Sequence, residues 1–306
     1  WESTGKKGGK KSKQHGEVTD GDDGQGVAEA EVTKKAGGAG GDGGGKGNGK
    51  GSDPQKKSEF ASSGGRDCDV CPPMVALNGG KTVVGTLFHA AGAAGPKLGP
   101  LQEKSLNAFA ISRYEITVAQ FDAFVKAKGH KPANVCRAGQ QMLQGATYKE
   151  PGIEQAEDHP VVCISWHDAS AYSNWLTEKT GRRYALPSEI EWEHAARAGS
   201  FELYQTGKQI HGAQAQFRTA GDPRKSTLAV GGFSANNFGL HDVHGNAAEF
   251  VKNCWNESDN AVATSVGECS LRMIKGGAWY QTGPHLQFPA RAPIGILDAD
   301  QGVGFR

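Results

Sequence analysis

The sequence predicts an α+β domain with two or three helices, short strands and much irregular structure, preceded by a disordered arm. Three observations carry that expectation. Residues 1–66 hold 19 of the 45 glycines, 12 basic and 10 acidic side chains, and no Leu, Ile, Met or Tyr. Their large apolar groups are only Trp1, Phe60 and three valines, too few to offset the entropy of ordering a chain. Three helix-start signals then follow within about a hundred residues, and beyond residue 200 the periodicity fades into turns, glycines and aromatics.

Ordered sequence is expected from Cys71-Pro72-Pro73-Met74-Val75, which divides the chain into an arm, 1–70, and a domain, 71–306. Residues 82–88 and Phe109–Ile116 read as β segments. Thr117 caps a first helix whose Val118, Phe121, Phe124 and Val125 share a face and which Gly129 ends. Val161–Trp166 reads as a short strand feeding a second helix, from about Asp168 to Thr180, with Ala169, Tyr172, Leu176 and Trp175 inward and Gly181 as its stop. The third helix starts with the capping box Ser188-x-x-Glu191, buries Trp192, Ala195 and Ala196, and closes at Gly199. Leu271–Lys275 is a further β piece. A long stretch without regular structure signals a functional surface, or a fold held by ions or disulfides.

Composition excludes several classes. With 34 basic and 33 acidic residues the net charge is +1, which gives no basis for a nucleic-acid partner. No apolar run approaches the roughly 18–20 residues that span a bilayer, and no signal peptide is visible. The chain begins at Trp1 and stops at Gly304-Phe305-Arg306, so it reads as a fragment or processed product, with an upstream signal or anchor still possible. The oligomeric state is not readable.

Six cysteines permit three disulfides. Cys254 and Cys269 close a short polar loop that gains from a staple, and a Cys136–Cys163 pair would make those thiols structural as well. Cys68-x-x-Cys71 fits a redox pair, half a zinc site or a structural pair. A structural disulfide set in an oxidising compartment, periplasmic, extracellular or at the cell envelope, is the favoured expectation.

The densest polar segment is Asn237-Phe-Gly-Leu-His-Asp-Val-His-Gly-Asn-Ala-Ala-Glu249. Asp242 and Glu249 offer hard carboxylate oxygens around a Gly245-Asn246 turn that can aim carbonyls inward, as calcium prefers; the bland alternative is a turn with Asp242 as a cap. His241 and His244 invite a transition metal, though two histidines without further ligands are more often packing groups. Arg113, Arg197, Arg291 and Arg306 are expected in structural ion pairs.

Taken in order, Ile111-Ser-Arg-Tyr-Glu-Ile-Thr117, His159-Pro-Val-Val-Cys-Ile-Ser-Trp166, Tyr184–Arg197, Asn237–Glu249, Lys275-Gly-Gly-Ala-Trp279 and Gly304-Phe-Arg306 resemble the formylglycine-generating enzyme, or sulfatase-modifying factor, family. The resemblance covers about 71–306 and implies a C-type-lectin-like α+β fold. It implies a calcium held by the side chains of Asp242 and Glu249 and the carbonyls of Gly245 and Ala247. A second calcium position is matched poorly by Gln216 and Asp222. The family's aromatic beside the acidic ligand is Ala248 here. The enzyme proper oxidises a substrate cysteine to formylglycine with O₂ and copper(I), which needs two thiolates; Gln281 and Leu286 stand at those positions, and an amide and an isobutyl group do not bind copper(I).

Two expectations follow. The first is a calcium-stabilised binding or scaffolding module that takes a protein or small ligand through Tyr280, Gln281, Thr282, His285, Gln287, Arg291, Asp298 and Asp300. The same placement is similar to the variable region of retroelement-diversified lectin-fold proteins. The second is an enzyme, either a formylglycine-forming oxidoreductase or a copper-independent one using a carboxylate such as Glu249 or Asp298.

Overall fold

The computed structural model describes residues 65–87, 96–221, 225–256 and 268–306. Residues 1–64 of the expected arm, Phe88 and Asp222 lie outside them. In chain order the strands are β1 (Met74–Leu77), β2 (Gly80–Val84), β3 (Lys97–Leu98), β4 (Gln102–Leu106), β5 (Phe109–Ser112), β6 (Val135–Ala138), β7 (Gln141–Gln144), β8 (Ala248–Cys254), β9 (Leu271–Lys275), β10 (Ala290–Gly295) and β11 (Val303–Gly304). The helices are α1 (Val118–Lys128), α2 (Trp166–Thr180) and α3 (Glu189–Arg197).

All three helices start on a reciprocal capping box: Thr117 with Gln120, Ser165 with Asp168, and Ser188 with Glu191. Two of those boxes fall where the capping signals or the helix pattern place them. Ser165 starts α2 two residues earlier than expected, because the Asp168 carboxylate accepts from the Ser165 N–H at 2.8 Å. Gly129 and Gly181 end α1 and α2 in the left-handed conformation that glycine adopts without steric cost. Ala198, at φ 47°, closes α3 one residue before the expected Gly199.

Val161–Trp166 is not a strand. Cys163 has φ 56°, which breaks any extended run, and Trp166 is the first residue of α2. The segment is nevertheless buried and tied in: the Val161 N–H donates to the Ile116 carbonyl and the Cys163 N–H to the Asp300 carbonyl. β2 starts at Gly80, two residues before the expected 82, and ends at Val84, and β5 ends at Ser112, short of the expected Ile116.

Four C-terminal strands and β3 form a five-stranded sheet, ordered β11-β8-β9-β10-β3, with only the β11–β8 pair parallel. Two-stranded pairings β1–β5, β2–β4 and β6–β7 complete the β structure among the described residues. One core cluster packs Phe121, Phe124, Tyr172, Trp175, Leu176 and Phe305; a second packs Trp192, Ala195, Leu240, Met273 and Phe288. The chain's last residues are therefore interior. Phe305 stands edge-on to Tyr172, and its carbonyl accepts from the Ile116 N–H at 2.8 Å.

Three disulfides close the six cysteines: Cys68–Cys71, Cys136–Cys163 and Cys254–Cys269. The CxxC segment is thus a disulfide, and the set fits an oxidising compartment. Among the described residues no helix is long and apolar enough to cross a membrane.

Candidate functional site

The Asp242–Glu249 segment runs from a tight turn into β8. Gly245 has φ 76°, and a side chain there would collide with the Gln216 carbonyl, so the position needs glycine. Asn246 also takes a positive φ, and its side chain fixes the turn by donating to Glu115 at 2.7 Å and accepting from the Leu228 N–H at 2.9 Å. The Glu115 carboxylate further accepts from the Ala247 N–H at 2.8 Å.

Glu115, Asp242 and Glu249 are all buried, and one guanidinium sits among them. Arg306 donates from Nε to one Glu249 oxygen and from Nη2 to the other, both at 2.6 Å, and Nη2 also reaches the His241 and Asp242 carbonyls. Trp192 Nε1 donates to Glu249 at 2.7 Å. Burial lowers the acidity of Glu115, and the neighbouring charges of Asp242 and Glu249 raise its pKa further. Burial likewise raises Asp242, whose carboxylate accepts from the Gly231 N–H at 2.6 Å. Burial alone would lower the pKa of Arg306, but Glu249 outweighs it and keeps the guanidinium charged. Glu115 supplies a third carboxylate that the motif Tyr114-Glu115-Ile116-Thr117 contained and that spacing could not assign.

Three buried carboxylates, Glu115, Asp242 and Glu249, thus share one guanidinium around this turn, and the two of the expected calcium set are already bonded, Asp242 to the Gly231 N–H and Glu249 to Arg306 and Trp192. Among the described residues no three His, Cys, Asp or Glu side chains converge as metal ligands. The histidines are committed elsewhere. His241 Nδ1 donates to the Phe233 carbonyl at 2.7 Å. His244 Nδ1 donates to the Leu286 carbonyl at 2.7 Å while its Nε2 accepts from the Gln205 N–H at 3.0 Å.

Burial pushes the His244 imidazole down to about 4, and it also lowers His159 and His194. A histidine kept neutral in the folded state binds its proton more readily when unfolded, so stability present above pH 6.5 is lost as pH falls toward the folded value. His244 alone should cost about 3 kcal/mol between pH 7 and pH 4. Urea unfolding across that range checks this, and His244→Gln, which keeps a donor and an acceptor, should flatten the profile.

A second buried network lies beside β9. Lys275 Nζ, fully buried, contacts Glu193 at 3.0 Å and Glu189 at 3.8 Å, and Arg197 donates to Glu193 at 2.8 Å. Burial would raise Glu193, but Lys275 and Arg197 hold it below the usual carboxylate range. The expected ion-pair roles of Arg197 and Arg306 are thereby met. Neither Lys275 nor its two carboxylate partners stood out as charged site residues in the sequence.

The residues expected to bind a ligand divide into separate places. Gln281, His285 and Arg291 meet around a cavity of about 20 Å³, with Lys275 and Ala248 in its wall. That is room for one water molecule. Gln281 is also bound to the main chain, its Oε1 accepting from the Ala278 N–H at 2.9 Å. Tyr280 and Asp300 instead bond each other at 2.8 Å, and burial raises both. Asp298 pairs with Arg137 at 3.1 Å on the surface, Thr282 contacts His285 at 3.3 Å, and Gln287 reaches Tyr204. Leu286 is core: fully buried against Tyr204 and Phe217.

Residues 60–306 match the family model described as the sulfatase-modifying factor enzyme 1-like domain. The chain belongs to this family. A formylglycine-generating enzyme of Thermomonospora curvata is 29% identical over 230 residues, covering 59% of this chain and 74% of the relative. A mouse protein named inactive C-alpha-formylglycine-generating enzyme 2 is 28% identical over 251 residues, covering 69% and 75%. The solved structure of PvdO from Pseudomonas aeruginosa is 32% identical, with a TM-score of 0.68 over 78% of this chain and 95% of that one. In this sulfatase-modifying-factor domain, then, the charged turn at Asp242–Glu249 and the closing Gly-Phe-Arg form one buried unit.

Proposed function

We propose that this sulfatase-modifying-factor domain is a binding or scaffolding module and not a copper thiol oxidase. What carries the proposal is the state of its cysteines: all six are tied in disulfides, and Gln281 and Leu286 occupy the positions where the family resemblance asks for thiols. Soft copper(I) is held by thiolate or thioether sulfur, which an amide and a buried isobutyl group do not replace. Family membership does not decide the matter, since the relatives include one named an enzyme and one named inactive.

A carboxylate mechanism finds little support in the residues that would run it. Both Glu249 oxygens accept from Arg306, one from Trp192 as well, and the group is fully buried. Asp298 is paired with Arg137 on a surface loop. Neither carboxylate is poised to take a substrate proton.

Calcium belongs to the proposal as a stabiliser. Asp242 and Glu249 side chains with the Gly245 and Ala247 carbonyls would hold it, Glu249 being shared with Arg306, and the ion would supply positive charge to a net-negative interior. The binding surface is assigned to the loops from Tyr280 to Asp300, and the compartment to the periplasm, exterior or cell envelope.

Two measurements on one sample test this. A peptide of the Cys-x-Pro-x-Arg type, incubated with the protein, copper(I) and O₂, should be oxidised no faster than without protein. Calcium should raise the melting temperature relative to a chelator control. Turnover of the peptide would overturn the binding proposal, and an unchanged melting temperature would remove calcium from it.

A further inference from the structure

A cleft of about 850 Å³ lies on the side of the domain formed by β1, β5 and the connection between α2 and α3, apart from the loops assigned above. The inference drawn from it is independent of the proposed role of those loops. Two features of the cleft are unusual for a surface depression.

The first is its wall. Residues 107–112 line it consecutively, Asn107 and Ala108 and then all four residues of β5. Successive side chains of a strand point to opposite faces, so a cavity lying against a face meets alternate residues. A cavity that meets every residue abuts the strand's edge, where N–H and carbonyl groups project. One edge of β5 pairs with β1, in register from Met74–Ser112 to Leu77–Phe109. Among the described residues no strand pairs with the other edge. The facing wall is again a consecutive run, Arg182 to Pro187.

The second feature is the lining around that slot. The Tyr172 side chain is 1% exposed and borders the cleft, and its hydroxyl has no hydrogen-bond partner among the described residues. A buried hydroxyl without a partner costs about 1–3 kcal/mol, so the position calls for a polar atom from outside. Around it Met74, Ile111, Leu176, Leu186 and Phe305 are apolar. At the rim Arg182 pairs with Asp67 and Lys252 with Glu191. Arg183, also on the lining, is exposed and has no ion pair among the described residues, which leaves its positive charge open to the cleft.

We propose that this cleft binds an extended polypeptide of another protein, which adds as a strand to the open edge of β5, lays apolar side chains along the floor and sets a carboxylate against Arg183. Main-chain pairing supplies affinity in such a site, and pockets for alternate side chains together with the terminal charge supply selectivity. The volume lies in the range of sites that bury a compact ligand, or a few residues of a strand.

The test uses the full chain and a fluorescein-labelled hexapeptide of alternating valine and threonine ending in glutamate. Polarisation should report saturable binding, and the β5 amides that face away from β1, those of Ala110 and Ser112, should gain protection from hydrogen exchange. N-methylating alternate peptide amides should weaken binding at least about tenfold, because the methyl groups remove the ladder donors. Arg183→Glu, on an exposed position, should weaken the acidic peptide about tenfold and favour its lysine-ended counterpart. Tyr172→Phe keeps the ring packing and should weaken binding a few-fold, about the worth of one hydrogen bond. Melting temperatures equal to wild type would show that each variant is folded. Absence of saturable binding at millimolar peptide would overturn the proposal. So would binding indifferent to N-methylation, or binding that adds no protection at the amides of Ala110 and Ser112.

Discussion

Arg306→Ala should destabilise the domain by about 3–5 kcal/mol, the cost of leaving a buried charge without its partner. The guanidinium makes two bonds to Glu249 at 2.6 Å and ties in the His241 and Asp242 carbonyls, so its loss strands three carboxylates in the interior at once. Arg306→Lys keeps the charge but not the planar fork, and should fall between the two. Urea unfolding measures both. The pH dependence adds a separate mark. Carboxyls left without a cation have folded pKa values above their unfolded ones, so the stability they contribute is greatest at low pH and is lost as pH rises. The alanine variant should therefore recover part of its loss on mild acidification, against the trend that the buried histidines impose on the wild type. Glu249→Gln in the same chain should cost less on top of Arg306→Ala than it does alone, because the orphaned charge is already gone. Strict additivity of the two would show that Arg306 and Glu249 do not act as a pair.

The Cys136–Cys163 disulfide carries the second large effect. It spans 27 residues, joins β6 to the buried segment ahead of α2, and both cysteines are fully buried. Chain-entropy reasoning for a loop of that length gives about 3–4 kcal/mol. Replacing both cysteines with alanine should lower stability by that amount in urea unfolding under non-reducing conditions. The same replacement at Cys68 and Cys71, three positions apart, should cost less, since so short a loop constrains the unfolded chain less. Equal losses at the two pairs would count against loop closure as the source.

Helices were the legible part of this protein. Each depends on neighbours a few residues apart: a hydroxyl or carboxylate at the cap, its reciprocal partner three positions on, and a left-handed residue at the end. The five-stranded sheet was not legible. β8 is buried at six of its seven positions, so it shows none of the alternation that marks a half-exposed strand. Val161–Ile164 erred the other way. An apolar run suggested a strand, but Cys163 turns left-handed, and the segment is held by bonds to Ile116 and Asp300, far away in sequence.

Among the functional residues the division has the same origin. The composition and order of the motifs were enough to recognise the sulfatase-modifying-factor family and the α+β class, and to see that Gln281 and Leu286 are not cysteines. Which side chains meet was decided only by the tertiary structure. Tyr280 and Asp300 turned toward each other, Leu286 went into the core, and Gln281, His285 and Arg291 gathered at a small cavity. Glu115 and Arg306 lie 191 positions apart and face each other across one buried turn. Local propensity and capping act over a single turn of chain, and a sequence displays them directly. A buried charge is placed by whichever distant partner can neutralise it, and only the folded packing identifies that partner.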